Sequence, residues 1–286
     1  MAPVNPARAK LAARLRQMRA ATGLSGNRFA QRLGWHQSRV SKIETGAQMP
    51  SDDDLRAWIS ATGQGADTQA ELLAMAATVR FDQSSVRDVV DHGELGVWQF
   101  HFAALEADAA YIAEYQAAFV PGLVQTAAYA RELLHLHGGP VAAGASEPDI
   151  EALVGERIRR QEILYQSGKH IQLVIGEAAL HDPPGSIDTL TGQLDRLVAV
   201  AGLATVDLAV LPIGTRMPIL PLGSFVLHDN RTVFVETITS LRRLNEPDEV
   251  EIYVTAFGLL RDAAATGPEA VTLIRRVMHE LAAEQP

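Results

Sequence analysis

The sequence predicts two domains of different class. An all-α head of five helices spans residues 1–82, and a larger α+β body with a small sheet of about four strands spans 97–286. Three observations lead there. Apolar residues recur at helical spacing through the first eighty positions. After residue 170 that pattern gives way to short β-branched runs separated by turn residues. The charge also changes sign along the chain. The first fifty residues hold nine Lys and Arg against one acid, Glu44, whereas the remainder holds 16 bases against 33 acids. The formal net charge of −9 therefore conceals a basic head on an acidic body. Such a head can still be steered onto phosphates, while the body repels them.

Composition narrows the classes further. With 286 residues, 47% hydrophobic and 21% charged, the chain has the length and apolar content of two globular domains. It contains no cysteine, which excludes disulfides, thiolate metal sites and a cysteine nucleophile. No uninterrupted apolar segment is long enough to span a bilayer. The opening MAPVNPARAKLAARL has bases but no apolar run ending in a cleavage site, so no signal peptide is expected. The expected location is the cytoplasm, with no membrane partner.

The elements follow in order. Leu11, Leu15 and Met18 mark a first helix over 7–21, ended by Gly23. Ser25 is placed to cap the second. The stretch GNRFAQRLGWHQSRVSKIET, residues 26–45, then reads as two short helices joined by a tight turn. Phe29, Leu33, Trp35, Val40 and Ile43 form its apolar side, small Ala30 permits a close helix crossing, and Gly34 stands where the bend needs φ > 0. Ser51 followed by Asp52, Asp53 and Asp54 starts a fourth helix, with acids at its positive end. Leu55, Trp58 and Ile59 would close the small core, and a fifth helix runs from about Asp67 to Phe81.

Residues 83–96 are polar, acidic and glycine-bearing, and read as a linker. Residues 98–116 are apolar-rich with helix-forming Ala and Glu, and read as helix until Val120-Pro121-Gly122 breaks it. Further helices are expected at 123–137, 150–166 and 186–202. IQLVIG (171–176) and TVDLAVLP (205–212) are β-like, and 223–237 reads as a hairpin turning at Asp229-Asn230. Two helices, 247–264 and 268–284, close the chain.

The spacing in 26–45 is that of a helix-turn-helix whose second helix keeps its outer face free. Gln37, Ser38 and Arg39 on that face are residue types that read base edges, so they are the candidate base-contacting residues. Ser41 and Lys42, with Arg28 and Arg14, are the candidate phosphate contacts. The predicted partner is double-stranded DNA. One head this small contacts little DNA surface, so a homodimer on a pseudo-palindrome is expected.

LSGNRFAQRLGWHQSRVSKIETG resembles the helix-turn-helix of the phage-repressor (Cro/repressor, XRE-type) regulators, closing on Ile43-Glu44-x-Gly46. The resemblance implies a lambda-repressor-like head. It also implies a structural ion pair between Arg19, late in the first helix, and Glu44. The body carries a second resemblance. Phe119 to Thr126 with Tyr129-Ala130-Arg131, Glu156-Arg157, Arg160-Gln161, Glu177 to Leu180 and Val210-Leu211-Pro212 are similar, in order, to segments of actinobacterial WhiJ-type regulators. That implies an antitoxin-like transcription regulator with a small protein partner encoded nearby.

Other chemistry finds little support. His135 and His137 are two apart on an expected helix and face different ways, and no HExxH occurs, so no metal site is expected. There is no GxSxG elbow and no P-loop, and Gly63-x-Gly65 lacks a preceding strand. No catalytic residue and no cofactor are assigned. Pro121-Gly122 reads first as a helix breaker; alternatively Gln125 and Tyr129 line a partner or ligand surface. Glu156, Arg157, Arg159 and Arg160 read as a solvated or salt-linked face before an anion site. Glu106, Glu177 and Glu236 are acids a pocket could draw on, but sequence does not bring them together. The body is expected to dimerise, bind a partner, or both; a small-molecule sensor and an enzyme fused to a DNA-binding head are the rival readings.

Overall fold

The computed structural model describes residues 6–81, 103–136, 144–220, 223–237 and 241–283. The chain divides into two compact units, Met1–Gln83 and Ser84–Pro286. The expected linker at 83–96 lies outside the described residues, as does His137.

The head consists of α1 (Pro6–Ala21), α2 (Gly26–Leu33), α3 (Gln37–Glu44), α4 (Asp52–Thr62) and α5 (Ala66–Phe81). Local chemistry sets the boundaries. The Ser25 hydroxyl accepts the Arg28 N–H at the start of α2, and Gly34 ends it at φ 69°, its N–H reaching the carbonyls of Ala30 and Gln31. A side chain at Gly34 would be strained even with no atom in its way. Ser51 and Asp54 form a reciprocal capping box at α4. At the centre of the head core is Trp58, which is fully buried and donates its indole N–H to the Leu15 carbonyl at 3.2 Å. Phe29 packs on it with ring centres 4.8 Å apart, among Leu11, Leu15, Val40, Ile43 and Leu72.

The body is built on one mixed sheet. Its strands are β1 (Tyr111–Gln116), β2 (His170–Gly176), β3 (Val206–Leu211), β4 (Phe225–His228), β5 (Thr232–Glu236), β6 (Leu241–Leu244) and β7 (Ala265–Thr266). They lie in the order β6-β5-β4-β1-β2-β3-β7. β1, β2 and β3 are parallel, and every other pairing is antiparallel. The helices are α6 (Ala127–His135), α7 (Glu147–Arg160), α8 (Ile187–Val200), α9 (Pro247–Asp262) and α10 (Gly267–Ala283); residues 103–108 are also helical. α8 and α10 cover one face of β2 and β3 through Leu190, Leu194, Leu197, Ile274 and Val277. α9 covers the opposite face through Val250, Phe257 and Leu260.

Two expectations are corrected. The sheet has seven strands instead of about four, the additions being β1, β6 and β7. Tyr111–Gln116, expected to be helical, is the central strand, where parallel and antiparallel halves of the sheet meet. Its helix-forming Ala and Glu are overridden by two hydrogen-bonded neighbours. The hairpin turns at Asp229 and Asn230, both at φ 52°, a backbone these two residue types tolerate. Asp229 Oδ1 also accepts the N–H groups of Ala110 and Tyr111, tying the turn to the start of β1.

Candidate nucleic-acid interface

α3 reaches its position by apolar anchoring on one side and ion pairing at both ends. Val40 and Ile43 are buried in the head core. At the C-terminal end, Glu44 meets Arg19 of α1 in a two-pronged pair, Nε to Oε1 at 2.5 Å and Nη2 to Oε2 at 3.1 Å. The two side chains are only 15% and 10% exposed. Arg19 also donates to the Leu24 carbonyl, and its hydrogen bond to Glu44 raises its pKa further. Arg19 therefore ties α1, the α1–α2 turn and α3 together.

The outer face of α3 is polar and open. Gln37, Ser38 and Lys42 are exposed, and Ser41 is half-buried with its carbonyl accepting the Thr45 hydroxyl. The Gln37 amide lies over the start of α2, 4.0 Å from where a Cβ on Gly26 would stand. His36 precedes α3 without a side-chain cap, and its carbonyl accepts the Arg39 N–H at 3.0 Å. Arg28 is exposed.

Two of the expected contact residues make ion pairs within the head. Arg39 folds back from the outer face: its Nη2 donates to both carboxylate oxygens of Asp54 at 2.7 and 3.0 Å. Its guanidinium carbon lies 4.5 Å from the Trp35 ring centre. Arg14 is engaged by Glu71 of α5, with two donor–acceptor distances of 3.1 Å. Spacing places Arg39 on the outer face correctly. It does not show that a carboxylate from α4 comes within reach of so long a side chain.

The body's conspicuous polar residues also receive places. Gln125 and Tyr129 are buried and line no surface. Gln125 donates to the Val120 carbonyl at 2.6 Å, and the Tyr129 hydroxyl accepts the Val120 N–H at 3.3 Å. Arg159 pairs with Glu156 on the solvent side of α7, whereas Arg160 points inward onto Glu106. Glu177 is separate from that pair, held by Arg276 and by the Ile213 N–H at 2.7 Å. Glu106 and Glu236 each lie within electrostatic reach of Arg157, Arg160 and a group absent from the expected set, Glu114 on β1. Burial pushes Glu114 up to about 7, against a hydrogen bond from Gln116 that lowers it. Burial likewise brings Arg157 down to about 10. Alternation along β1 could have marked Glu114, but the helical reading of that segment hid it.

Among the described residues no group of three or more His, Asp or Glu could hold a metal ion. None of the described helices is long and apolar enough to cross a membrane.

A five-helix head with one cross-braced helix facing outward defines the helix-turn-helix class of DNA-binding regulators. A family model for a helix-turn-helix domain matches residues 10–73. The chain belongs to the family described as a domain of unknown function, DUF5753, whose model matches residues 99–276 and so most of the body. No curated protein matches the chain.

Proposed function

We propose that this protein is a sequence-specific transcription regulator of the XRE type that binds an operator as a homodimer. One observation carries the reading: α3 holds an open row of Gln37, Ser38 and Lys42 on a helix braced by Arg19–Glu44 and Arg39–Asp54. Gln37 and Ser38 read base edges in the major groove, while Lys42, Ser41 and Arg28 hold phosphates. Arg39 serves this face by fixing the helix. The body dimerises and binds rather than catalyses. In the antitoxin-like, WhiJ-type role its partner is a small protein encoded nearby, and the site of action is the cytoplasm.

Footprinting on the DNA upstream of the gene supplies the operator for the test. Gln37→Ala weakens specific binding by about 1–3 kcal/mol and relaxes preference at one base pair per half-site. Lys42→Ala weakens all sequences alike and reduces the salt slope by about one unit. If both variants lose affinity with sequence preference unchanged, the division of roles fails.

A further inference from the structure

α9 is apolar on two sides. Val250, Phe257 and Leu260 are buried against the sheet, with Tyr253 and Val254 half-buried beside them. The side turned away carries Ile252 and Leu259, 68% and 40% exposed, with exposed Thr255 between them. Helical spacing puts Asp248, Ile252, Thr255, Leu259 and Asp262 in one stripe. A helix covered on one side only carries polar residues on the other. This one keeps two large apolar residues in water at the middle of its outer face, which is built to be covered.

The stripe also indicates its cover. Read from either end it runs acid, large apolar, small, large apolar, acid, with Thr255 at the midpoint. Ala256 and Gly258 lie on either flank of Thr255, and nothing stands within 4 Å of where a Cβ on Gly258 would be. Such a surface complements itself. A second copy turned about a two-fold axis through Thr255 sets each Ile252 beside the partner's Leu259, and the small residues let the two backbones approach. The exposed charges of α9 are Asp248, Glu249, Glu251 and Asp262, while Arg261 is turned to Asp207. These acids repel DNA from this face, and they sit outside the apolar pair, where water and salt screen them.

The area also suits a dimer. On the same side of the sheet, Ile219 of the loop after β3 packs into the cluster beneath α9. Met217 and Leu220, on either side of it in sequence, are 40% and 82% exposed. Covering these two with Ile252 and Leu259 removes on the order of 500 Å² from water, the larger part of the ~800 Å² that each partner of a standard interface contributes.

We propose that α9 is the contact between two copies of this chain, crossing antiparallel at Thr255. The inference rests on the homodimer reading above and gives it a surface.

The test uses the full chain without DNA. Sedimentation equilibrium gives a dimer for the parent. Ile252→Glu and Leu259→Glu, both at exposed positions, each weaken it at least tenfold with the far-ultraviolet circular dichroism of the parent retained. The chain has no cysteine, so introduced cysteines report distance across the axis. Thr255→Cys oxidises to a covalent dimer, Ile252→Cys alone does not, and Ile252→Cys combined with Leu259→Cys does. Thr255→Cys keeps the test sound if a glutamate variant folds poorly. A dimer that withstands Ile252→Glu, or that Thr255→Cys fails to cross-link, overturns the assignment to α9 and leaves the homodimer reading standing. A monomeric parent overturns both.

Discussion

Arg39 illustrates how a side chain on a recognition face can belong to the scaffold. Asp54 is 8% exposed and already caps α4 through the Ser51 N–H, so its carboxylate depends on few partners. Arg39 supplies the only charge-assisted donor among the described residues, and its contact with Trp35 adds a cation–π term. Arg39→Ala strips a buried carboxylate of that donor, at a cost of about 1–3 kcal/mol. The head therefore melts earlier, and binding weakens for all DNA sequences alike with preference at every base pair retained. Competition binding on a randomised operator, alongside calorimetry of the variant, decides this. Relaxed preference at one position with an unchanged Tm would make Arg39 a base reader. Residue types and spacing were enough to mark Gln37, Ser38 and Lys42 as exposed. The partners of long side chains, such as Glu71 for Arg14, depend on tertiary placement that spacing does not carry.

At the scale of elements, the head was legible because several local signals agree. Caps, acids in a first turn, positive-φ glycines and apolar period all mark the same boundaries. β1 was not legible. Both its faces are covered, so Tyr111, Ala113 and Tyr115 alternate with Ile112, Glu114 and Gln116 without a clean apolar–polar contrast. β6 and β7 are too short to declare themselves. The misread strand also governs the body's response to pH. Glu114, normally near 4.5, sits at about 7, so its contribution is present below 4.5 and is lost as pH rises to 7. His228 on β4, normally near 6.5, is brought by burial to about 4, so its contribution is present above 6.5 and is lost as pH falls. Glu106, Arg160 and Glu236 act on the first group; Asp229, Arg160, Arg243 and Lys169 act on the second. Between 4.5 and 6.5 the two slopes oppose, because folded and unfolded chains hold equal numbers of protons at this pair. Urea midpoints of the body are thus flat across that window from this source. Glu114→Gln leaves stability rising with pH from 4 to 6.5, and His228→Phe leaves it falling from 4.5 to 7. Each unmasked slope totals on the order of 3 kcal/mol. Single variants that keep the parental profile would refute the pairing.

At the scale of the whole molecule, apolar exposure is divided as sharply as charge. Among the described residues, every large hydrophobic side chain with substantial exposure lies in the body, including Tyr165, Ile213, Leu220, Ile252 and Leu259. The head spends its apolar residues on its own core. The proposed self-association is therefore expected through the body, where Ile252 and Leu259 sit two turns apart on α9. Sedimentation of the full chain shows a dimer, and residues 1–82 alone sediment as a monomer. A monomeric full chain at micromolar concentration, or a dimeric head, would reverse the assignment.

The central place of β1 has a consequence during synthesis. The head is built from helices adjacent in sequence, and it can fold as soon as α5 has left the ribosome. β1 cannot complete the sheet then, since the bond from Ala110 to Asp229 closes a separation of 119 residues. At about 5–20 residues per second, a folded head precedes a paired β1 by many seconds. A chain that stalls or is cut in that interval leaves a head without its sheet. Such a fragment carries Gln37, Ser38 and Lys42 on α3 and lacks the exposed apolar residues of the body.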